Sequence, residues 1–329
     1  MMKYLPDRFS CMIVGMLILA TILPIHGQAA TIFNTLTNCA IALLFFLHGA
    51  KLSREAIYAG ITHWRLHLTI FAATFILFPI IGLALKPVLE PLLGHQLYLG
   101  ILYLCLLPST VQSSIAFTSI ARGNVPAALC SASASNILGM FITPCLAGLF
   151  LVTGSSTQSS FSLSAVLNII GLLFVPFVLG QILSKKIRPM LQRQPARIKM
   201  VDQGSILMVV YAAFSEAVIE GVWHQVSAEQ LILLVVVCIA LLFIAMLLIH
   251  FSSKKLGFNR ADQITILFCG SKKTLASGVP MAKILFAGHA FGLIILPLML
   301  FHQIQLITCG ILASRFAEQP EQNTDQQHS

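Results

Sequence analysis

The fold of this chain is decided by two polar stretches, LPSTVQSS at 107–114 and CGSKKT at 269–274. Each interrupts a long apolar run, and the two occupy the same position in the two halves of the chain. Such breaks leave peptide groups that protein, water or a bound solute must satisfy. Paired breaks in inverted halves indicate a transporter's binding site at mid-membrane. The alternative is that proline and glycine only kink packed membrane helices, which tolerate both.

The composition is that of a protein that crosses a membrane many times. Of its 329 residues, 57% are hydrophobic and 9% are charged, and the mean hydropathy is +0.89. A soluble domain carries roughly a quarter charged residues. Because a spanning helix takes about 20 apolar residues, the chain has room for ten helices and for no sizeable domain outside the bilayer. The predicted spans are 9–26, 31–50, 66–86, 97–120, 125–153, 162–184, 203–220, 229–251, 262–285 and 288–314.

The basic residues support this map because they fall on one side of it. Sixteen of the 20 Lys and Arg residues lie on the side of the N-terminus, and only Lys86 and Lys283 lie on the other. Cytoplasmic loops are enriched in Lys and Arg, so both termini are predicted to be cytoplasmic. The same rule explains the net charge of +9 without nucleic acid as a partner. Residues 1–30 are alternatively a cleaved signal peptide, but the matched halves favour keeping the first helix.

The fold predicted from these patterns is an all-α polytopic membrane protein. A basic loop at 185–200 separates five spans from five, and an odd number of helices in each half gives the halves opposite orientations. Residues 1–317 then form a single transmembrane domain of two inverted five-helix repeats, with helices 4 and 9 broken. The tail at 318–329 is rich in Gln without an apolar pattern, so it is predicted to be disordered.

Lys272 and Lys273 lie at the centre of the ninth span. A lysine at that depth costs about 2.5–3.5 kcal/mol on the insertion scale, so a partner or a cavity must compensate. The functional interpretations are a fixed counter-charge for an anionic solute, or a proton carrier. The structural alternative is a lysine paired with a carboxylate or with helix-end carbonyls. Adjacent helical side chains point about 100° apart, so both lysines can reach one cavity only where the backbone is broken.

Other polar side chains within the spans are candidates for contact with a solute or a coupling ion. They are Gln112, Ser113, Ser114, Ser131, Ser135, Asn136, Ser271 and Thr274, together with the two lysines. Small polar residues also pack membrane helices together, so packing and ligation stay equally open for the serines. Glu216 in the seventh span is a candidate proton or substrate group, or else an acid at the membrane interface. No catalytic residue, metal site or bound cofactor is predicted.

Five stretches carry a resemblance to a known family. They are 40–55 (AIALLFFLHGAKLSRE), 121–124 (ARGN), 130–136 (CSASASN), 268–273 (FCGSKK) and 301–305 (FHQIQ). Together they resemble the SBF-like (YfeH-type) branch of the bile acid:sodium symporter superfamily, over essentially the whole chain. The resemblance implies ten helices in two inverted repeats, with a panel domain of helices 1, 2, 6 and 7. It also implies a core domain of helices 3–5 and 8–10, in which helices 4 and 9 unwind and cross.

The resemblance implies a sodium site from which this chain departs. Sodium-coupled relatives carry a Glu, and a Gln a few residues later, at the unwound point of helix 9. This chain reads FCGSKKT at 268–274 instead. Ser113 and Ser114 fall near the family's sodium-binding positions on helix 4. Because ammonium groups repel a sodium ion, a lysine charge is expected to replace it, which would make transport sodium-independent or proton-linked.

The sequence therefore predicts a secondary active transporter that moves a small organic anion or another metabolite by alternating access. Its partners are that solute and membrane lipid, its coupling ion is sodium or a proton, and its place is the plasma membrane (the inner membrane of a Gram-negative bacterium). The oligomeric state stays open. No P-loop occurs, so ATP is not the energy source. The resemblance also allows a regulator of calcium homeostasis without solute flux. An intramembrane enzyme built on Ser271 and Lys272 is a third class, without any sign of an oxyanion hole.

Overall fold

The structure is a computed structural model and describes residues 8–51, 63–152, 171, 174–219, 221, 226–286 and 291–318. Helices make up almost all of this part of the chain. They are α1 (Arg8–Ile22), α2 (Gly27–Lys51), α3 (Trp64–Ala72), α4 (Phe78–Ala84), α5 (Lys86–Leu93), α6 (His95–Leu106), α7 (Gln112–Ile120), α8 (Val125–Val152), α9 (Val175–Arg193), α10 (Pro195–Ile219), α11 (Ala228–Lys255), α12 (Arg260–Gly270), α13 (Leu275–Leu285) and α14 (Phe291–Glu318). A π-helical segment, Ala73–Leu77, joins α3 to α4.

Several of these helices are suited to a bilayer. Five in the described part of the chain are long and apolar enough to cross one, with mean hydropathies from 1.7 to 3.6. They are Gly27–Ala50, Trp64–Ala84, Val125–Leu151, Ala228–Lys255 and Phe291–Glu318. The predicted class of all-α membrane protein with several spans is confirmed, while the count of ten spans and the inverted repeat stay predictions.

Both predicted breaks are present in the structure. Helix α6 ends at Leu106 and α7 begins at Gln112, with non-helical backbone between them. Helix α12 ends at Gly270 and α13 begins at Leu275. The predicted fourth and ninth spans are therefore each divided into two half-helices, whose free ends meet inside the protein.

The predicted basic loop at 185–200 is wrong. Helix α9 continues through it to Arg193, and α10 starts at Pro195, so only Gln194 lies outside a helix. Lysine and arginine are good helix formers, and the apolar pattern ended before the helix did. As a consequence Lys199 lies on the first turns of α10 rather than in a connection.

Some predictions fall on residues outside the described ranges. The sixth span at 162–184 is described only at 171 and from 174 onward, and the tail at 318–329 only at Glu318. The predicted disorder of the tail therefore stays a prediction. The signal-peptide alternative at 1–30 stays one as well, although only residues 1–7 of that segment lie outside the described ranges.

The described helices pack in two groups. Helices α1, α2, α9 and α10 contact one another through the pairs α1–α10, α2–α9 and α2–α10. The second group is built around the two pairs of half-helices, with α14 packed on α6, α11 and α13. The groups meet where α10 runs along α13 and α14. The breaks therefore lie within the second group, close to its contact with the first.

Helices α2 and α9 cross at a reciprocal pair of glycines. A Cβ atom at Gly49 would overlap the backbone oxygen of Phe177, and one at Gly180 would overlap the backbone oxygen of Phe46. Glycine lets two membrane helices approach to backbone contact, and packing of this kind stabilises helix pairs in lipid. The first group of helices is therefore fastened at this crossing.

We expect Gly180→Leu to destabilise the protein strongly, because the new side chain has backbone rather than a flexible side chain in its way. Overpacking costs about 1–3 kcal/mol, occasionally more, and the unfolding temperature in detergent should fall accordingly. Gly148→Leu on α8 is the matched control, since no neighbouring atom lies within 4 Å of a Cβ there. Equal unfolding temperatures for the two variants would contradict this helix crossing.

Candidate functional site: the crossed breaks

The two breaks satisfy each other's backbone. The N–H of Thr274 donates to the carbonyl oxygen of Pro108 at 3.0 Å, and the hydroxyl of Ser109 donates to the carbonyl oxygen of Cys269 at 2.5 Å. These bonds join the first half of the chain to the second. Peptide groups that each break removes from its own helix are thus paired across the crossing, as burial at this depth requires.

Each break is also held by the second helix after it in the sequence, α8 for the first break and α14 for the second. In the first half, Ser109 N–H donates to the Ser135 hydroxyl at 3.1 Å. In the second half, Lys273 N–H donates to Oε1 of Gln305, whose Nε2 donates back to the Lys273 carbonyl, both at 2.8 Å. Gln305 is fully buried. Its amide pairs with both the N–H and the C=O of one residue, as a neighbouring strand would.

The Lys273 ammonium lies in a nest of three backbone carbonyls. Nζ is 2.8 Å from the oxygen of Thr74, 3.0 Å from that of Cys105 and 2.7 Å from that of Leu107. The Phe78 ring adds a cation–π contact at 4.2 Å from its centroid. A lysine ammonium has three donors, so each of them has one acceptor. Lys273 therefore fits the structural alternative given above, in which a lysine is paired with helix-end carbonyls.

The local backbone explains why these three carbonyls are free. Cys105 belongs to the last turn of α6, and Leu107 follows that helix, so their oxygens lack the next turn that would bond them. Thr74 lies in the π-helical segment, where the hydrogen-bond register changes. A positive charge at a helix C-terminus is also favoured by the helix dipole. Lys273 completes two helix irregularities at once.

Lys272 has an entirely different environment. Its side chain is fully buried, and within the described residues Nζ has no hydrogen-bond partner. The nearest compensation comes from two aromatic rings, with Nζ 4.4 Å from the centroid of Phe117 and 5.6 Å from that of Phe268. A desolvated cation–π contact contributes about 2 kcal/mol, whereas burying an ion costs several kcal/mol. The surroundings of Lys272 therefore do not balance its charge.

The Ser271–Lys272 pair considered for an enzyme is not formed. Ser271 donates its hydroxyl to the carbonyl of Leu267 at 2.6 Å, one turn back along its own helix. A serine nucleophile requires contact with a base. Lys272 Nζ has no hydrogen-bond partner in the described structure, so it does not act as that base for Ser271.

A cavity of about 490 Å³ opens between the two groups of helices, in the size range of small-molecule sites. Four predicted site residues line it: Gln112, Ser113, Asn136 and Thr274. Residues 110–113 and 274–277 contribute the first turns of α7 and α13, so two half-helices begin at its wall. The described side chains include none that caps either N-terminus.

A chain of hydroxyls leads from this cavity to the crossing. Ser113 donates to the Thr110 hydroxyl at 2.7 Å, which is 3.0 Å from the hydroxyl of Ser114. Ser114 in turn donates to the carbonyl of Phe268 at 3.3 Å. Of the two adjacent serines, one is at the cavity wall and the other joins the two breaks.

The remaining predicted site residues are not at the cavity wall. Ser135 holds the first break, and Ser131 lies 2.6 Å from Nδ1 of His67. Ser271 and the two lysines are buried behind the wall. Glu216 is exposed near the far end of α10 and does not line the cavity. Instead of one polar pocket, the predicted residues form a wall and a supporting layer.

Sequence reasoning missed the side of the cavity formed by the first group of helices. Helix α10 contributes Lys199, Asp202 and Gln203, and α2 contributes His48. Lys199 falls in the predicted basic loop. Asp202, directly before the seventh apolar run, is the sequence feature that could have indicated this side of the cavity. The hydrogen bonds of Gln305 to the second break were missed as well. The sequence does not indicate which group a single amide within a span will contact.

A sequence profile of the SBF-like CPA transporter family matches residues 7–318. The chain belongs to this family. The resemblance predicted from the five stretches is thereby confirmed, and this SBF-like protein is a multi-pass membrane transporter related to the bile acid:sodium symporter family.

Similar proteins cover nearly all of this SBF-like transporter. A Pseudomonas aeruginosa protein described as uncharacterized is 56% identical over 315 residues, which span 96% of this chain and 94% of the relative. The putative symporter YfeH of Escherichia coli is 51% identical over 328 residues, covering 98% and 96%. The sodium/bile acid cotransporter 7 of Rattus norvegicus is 32% identical over 281 residues, covering 84% and 82%.

Proposed function

We propose that this SBF-like protein is a secondary active transporter of small organic anions. The observation that carries the proposal is the pair of uncapped half-helix N-termini, those of α7 and α13, at the wall of one cavity. The N-terminus of a helix offers free N–H groups and the positive end of the helix dipole, so it binds carboxylates and phosphates. Two such ends at one cavity favour an anionic solute over a cation.

Buried positive charge behind the wall supports the same choice. Within the described residues, Lys272 and Lys273 lie next to the second break without a carboxylate partner. Their field adds to that of the two helix ends, because buried charges are screened much less than exposed ones. A solute without negative charge would leave that field uncompensated.

Strict sodium coupling does not fit the second break. A sodium ion there would need oxygen ligands, and three carbonyl oxygens beside the break already bind the Lys273 ammonium. The acidic ligand of sodium-coupled relatives has no counterpart in this chain. We propose that the fixed ammonium replaces the ion, so that transport is sodium-independent or linked to a proton.

The two groups of helices support alternating access as the transport mechanism. We propose that α1, α2, α9 and α10 form the panel and the helices around the breaks form the core of ten spans in two inverted repeats. The cavity reaches Lys199 on the basic side, whereas Lys283 of α13 donates to Asn34 of α2 at 2.7 Å, joining the groups at another level. We propose that this arrangement is a state open to the cytoplasm, in a transporter of the inner membrane.

The test is flux into proteoliposomes. Purified protein is first screened for thermal stabilisation by acetate, succinate, citrate, phosphate and taurocholate, since ligands that bind the folded state stabilise it. Uptake of the labelled anion that stabilises most is then measured with sodium or choline as the external cation, with and without a pH gradient. We expect uptake above that of empty liposomes and equal rates in sodium and choline.

Two results would contradict this function. Absence of flux for every stabilising anion would favour the regulatory alternative. Uptake that disappears in choline would show sodium coupling and would remove the role proposed for the Lys273 charge.

A further inference from the structure

Lys272 and the cavity are separated by a single aromatic ring. Phe117 lines the cavity and is half-buried, and the centroid of the same ring lies 4.4 Å from the buried Lys272 Nζ. Because that ammonium is unpaired among the described residues, it is a binding group whose partner is missing. We call Phe117 the covering ring.

The covering ring lies beside a position that has no side chain. Gly310 of α14 also lines the cavity, and a Cβ atom placed there would have Cε1 of Phe117 as its nearest neighbour, at 3.7 Å. The absence of a side chain at this position leaves a gap beside the edge of the ring. By contrast, the second ring near Lys272, that of Phe268, is completely buried. Of these two rings, therefore, only that of Phe117 borders the cavity.

The two lysines differ in their capacity to bind anything further. Lys273 uses its three donors on three carbonyls, and exchanging them for a ligand would release the crossing. Lys272 gives up only contacts with rings when it gains a partner. An oxyanion supplies what it lacks, since charge-assisted hydrogen bonds between ammonium and carboxylate or phosphate are among the strongest in proteins.

We propose that Lys272 is an oxyanion-binding site for the transported solute, opened by rotation of the covering ring. The inference rests on the proposed anion transport and adds the residue that receives the carboxylate or phosphate group. The solute enters the cavity, its anionic group displaces the Phe117 ring towards Gly310, and Lys272 Nζ pairs with it. The Lys272 charge is then paired only when solute is bound, so binding of the solute stabilises the folded protein.

Chemical modification tests the cover directly. The full-length protein in detergent is treated with trinitrobenzenesulfonate, a small anionic reagent for amines, and the extent of reaction at each lysine is read by peptide mass spectrometry. We expect slow reaction at Lys272 in the wild type and in Phe117→Tyr, and a rate about tenfold higher or more in Phe117→Ala. Lys273 is the internal control and should stay unmodified in all three proteins.

Anion binding is tested with succinate and with inorganic phosphate as separate probes. At least one of them should slow the reaction of Lys272 in Phe117→Ala and raise the unfolding temperature of the wild type. Lys272→Met should abolish that shift while the protein still elutes as a folded species. Protection by succinate alone indicates a carboxylate solute, and protection by phosphate alone a phosphorylated one.

The proposal is overturned if Lys272 is as unreactive in Phe117→Ala as in the wild type, or if the anion-induced shift persists in Lys272→Met. Its failure is distinguishable from that of transport itself. Flux that survives Lys272→Met unchanged would remove this site and keep the transporter. The expected modification pattern in a protein without flux would keep the covered ammonium as an anion site and remove the transport function.

Discussion

Replacing Lys273 by Met is expected to destabilise the protein far more than the same replacement one residue earlier. Lys273→Met leaves three carbonyl oxygens without a donor in the interior. Each unsatisfied buried acceptor costs about 1–3 kcal/mol, so the loss should exceed about 3 kcal/mol. The end of α6 and the π-helical segment would both lose the contact that the ammonium makes between them.

Lys272→Met is the matched control, because it removes the same charge from the adjacent position. That ammonium has no hydrogen bond to lose in the described structure, and Met fills a similar volume against the rings of Phe117 and Phe268. Stability should be unchanged or increased, since the cost of burying an unbalanced ion disappears. Unfolding temperatures in detergent and the monodisperse fraction in size-exclusion chromatography measure both effects. Equal losses in the two variants would contradict the distinct environments of the two lysines.

The breaks and the importance of the two lysines were predictable from the sequence because both are local violations of a strong rule. Polar and charged residues in an apolar run of this length are costly, and proline with hydroxyls at 107–114 or glycine with lysines at 269–274 can be recognised without knowing the fold. The two predicted positions coincide with the ends of α6 and α12.

What each lysine does was not predictable, since it depends on contacts far apart in sequence. The acceptors of Lys273 include Thr74, and that carbonyl lies in a π-helical segment which no sequence pattern announced. Lys272 lies against Phe117, a residue that would otherwise pass as lipid-facing. Adjacent side chains at a broken helix end point in different directions. The two ammonium groups therefore do not share one pocket: Lys273 binds three carbonyls, and Lys272 is covered by the ring of Phe117.

The two halves solve the same structural problem with different chemistry. The first break is held by the Ser135 hydroxyl and by the Lys273 ammonium, which binds the carbonyls of Cys105 and Leu107. The second break is held by the amide of Gln305 and by the Ser109 hydroxyl. This difference between the two breaks is set by single residues, so the matching positions of the breaks in the sequence could not show it.

We propose that the fixed ammonium of Lys273 occupies a carbonyl nest that would otherwise take a mobile cation. A second large effect is expected for this reason. Lys273→Ala empties the nest without filling it, so a small cation should be able to replace the lost charge. We expect methylammonium, and more weakly sodium, to restore the unfolding temperature of this variant in a saturable way. Binding to the folded state alone contributes about 1.4 kcal/mol at ten times the dissociation constant.

The measurement is a thermal-unfolding titration of Lys273→Ala, prepared in methylammonium, beside the wild type at constant ionic strength. Tetramethylammonium is the control, because it carries the same charge but has no N–H donor for the carbonyls of Thr74, Cys105 and Leu107. The account predicts saturable rescue of the variant by methylammonium, none by tetramethylammonium, and no response of the wild type to sodium. Saturable stabilisation of the wild type by sodium, or an alanine variant that is fully stable without any added cation, would contradict it.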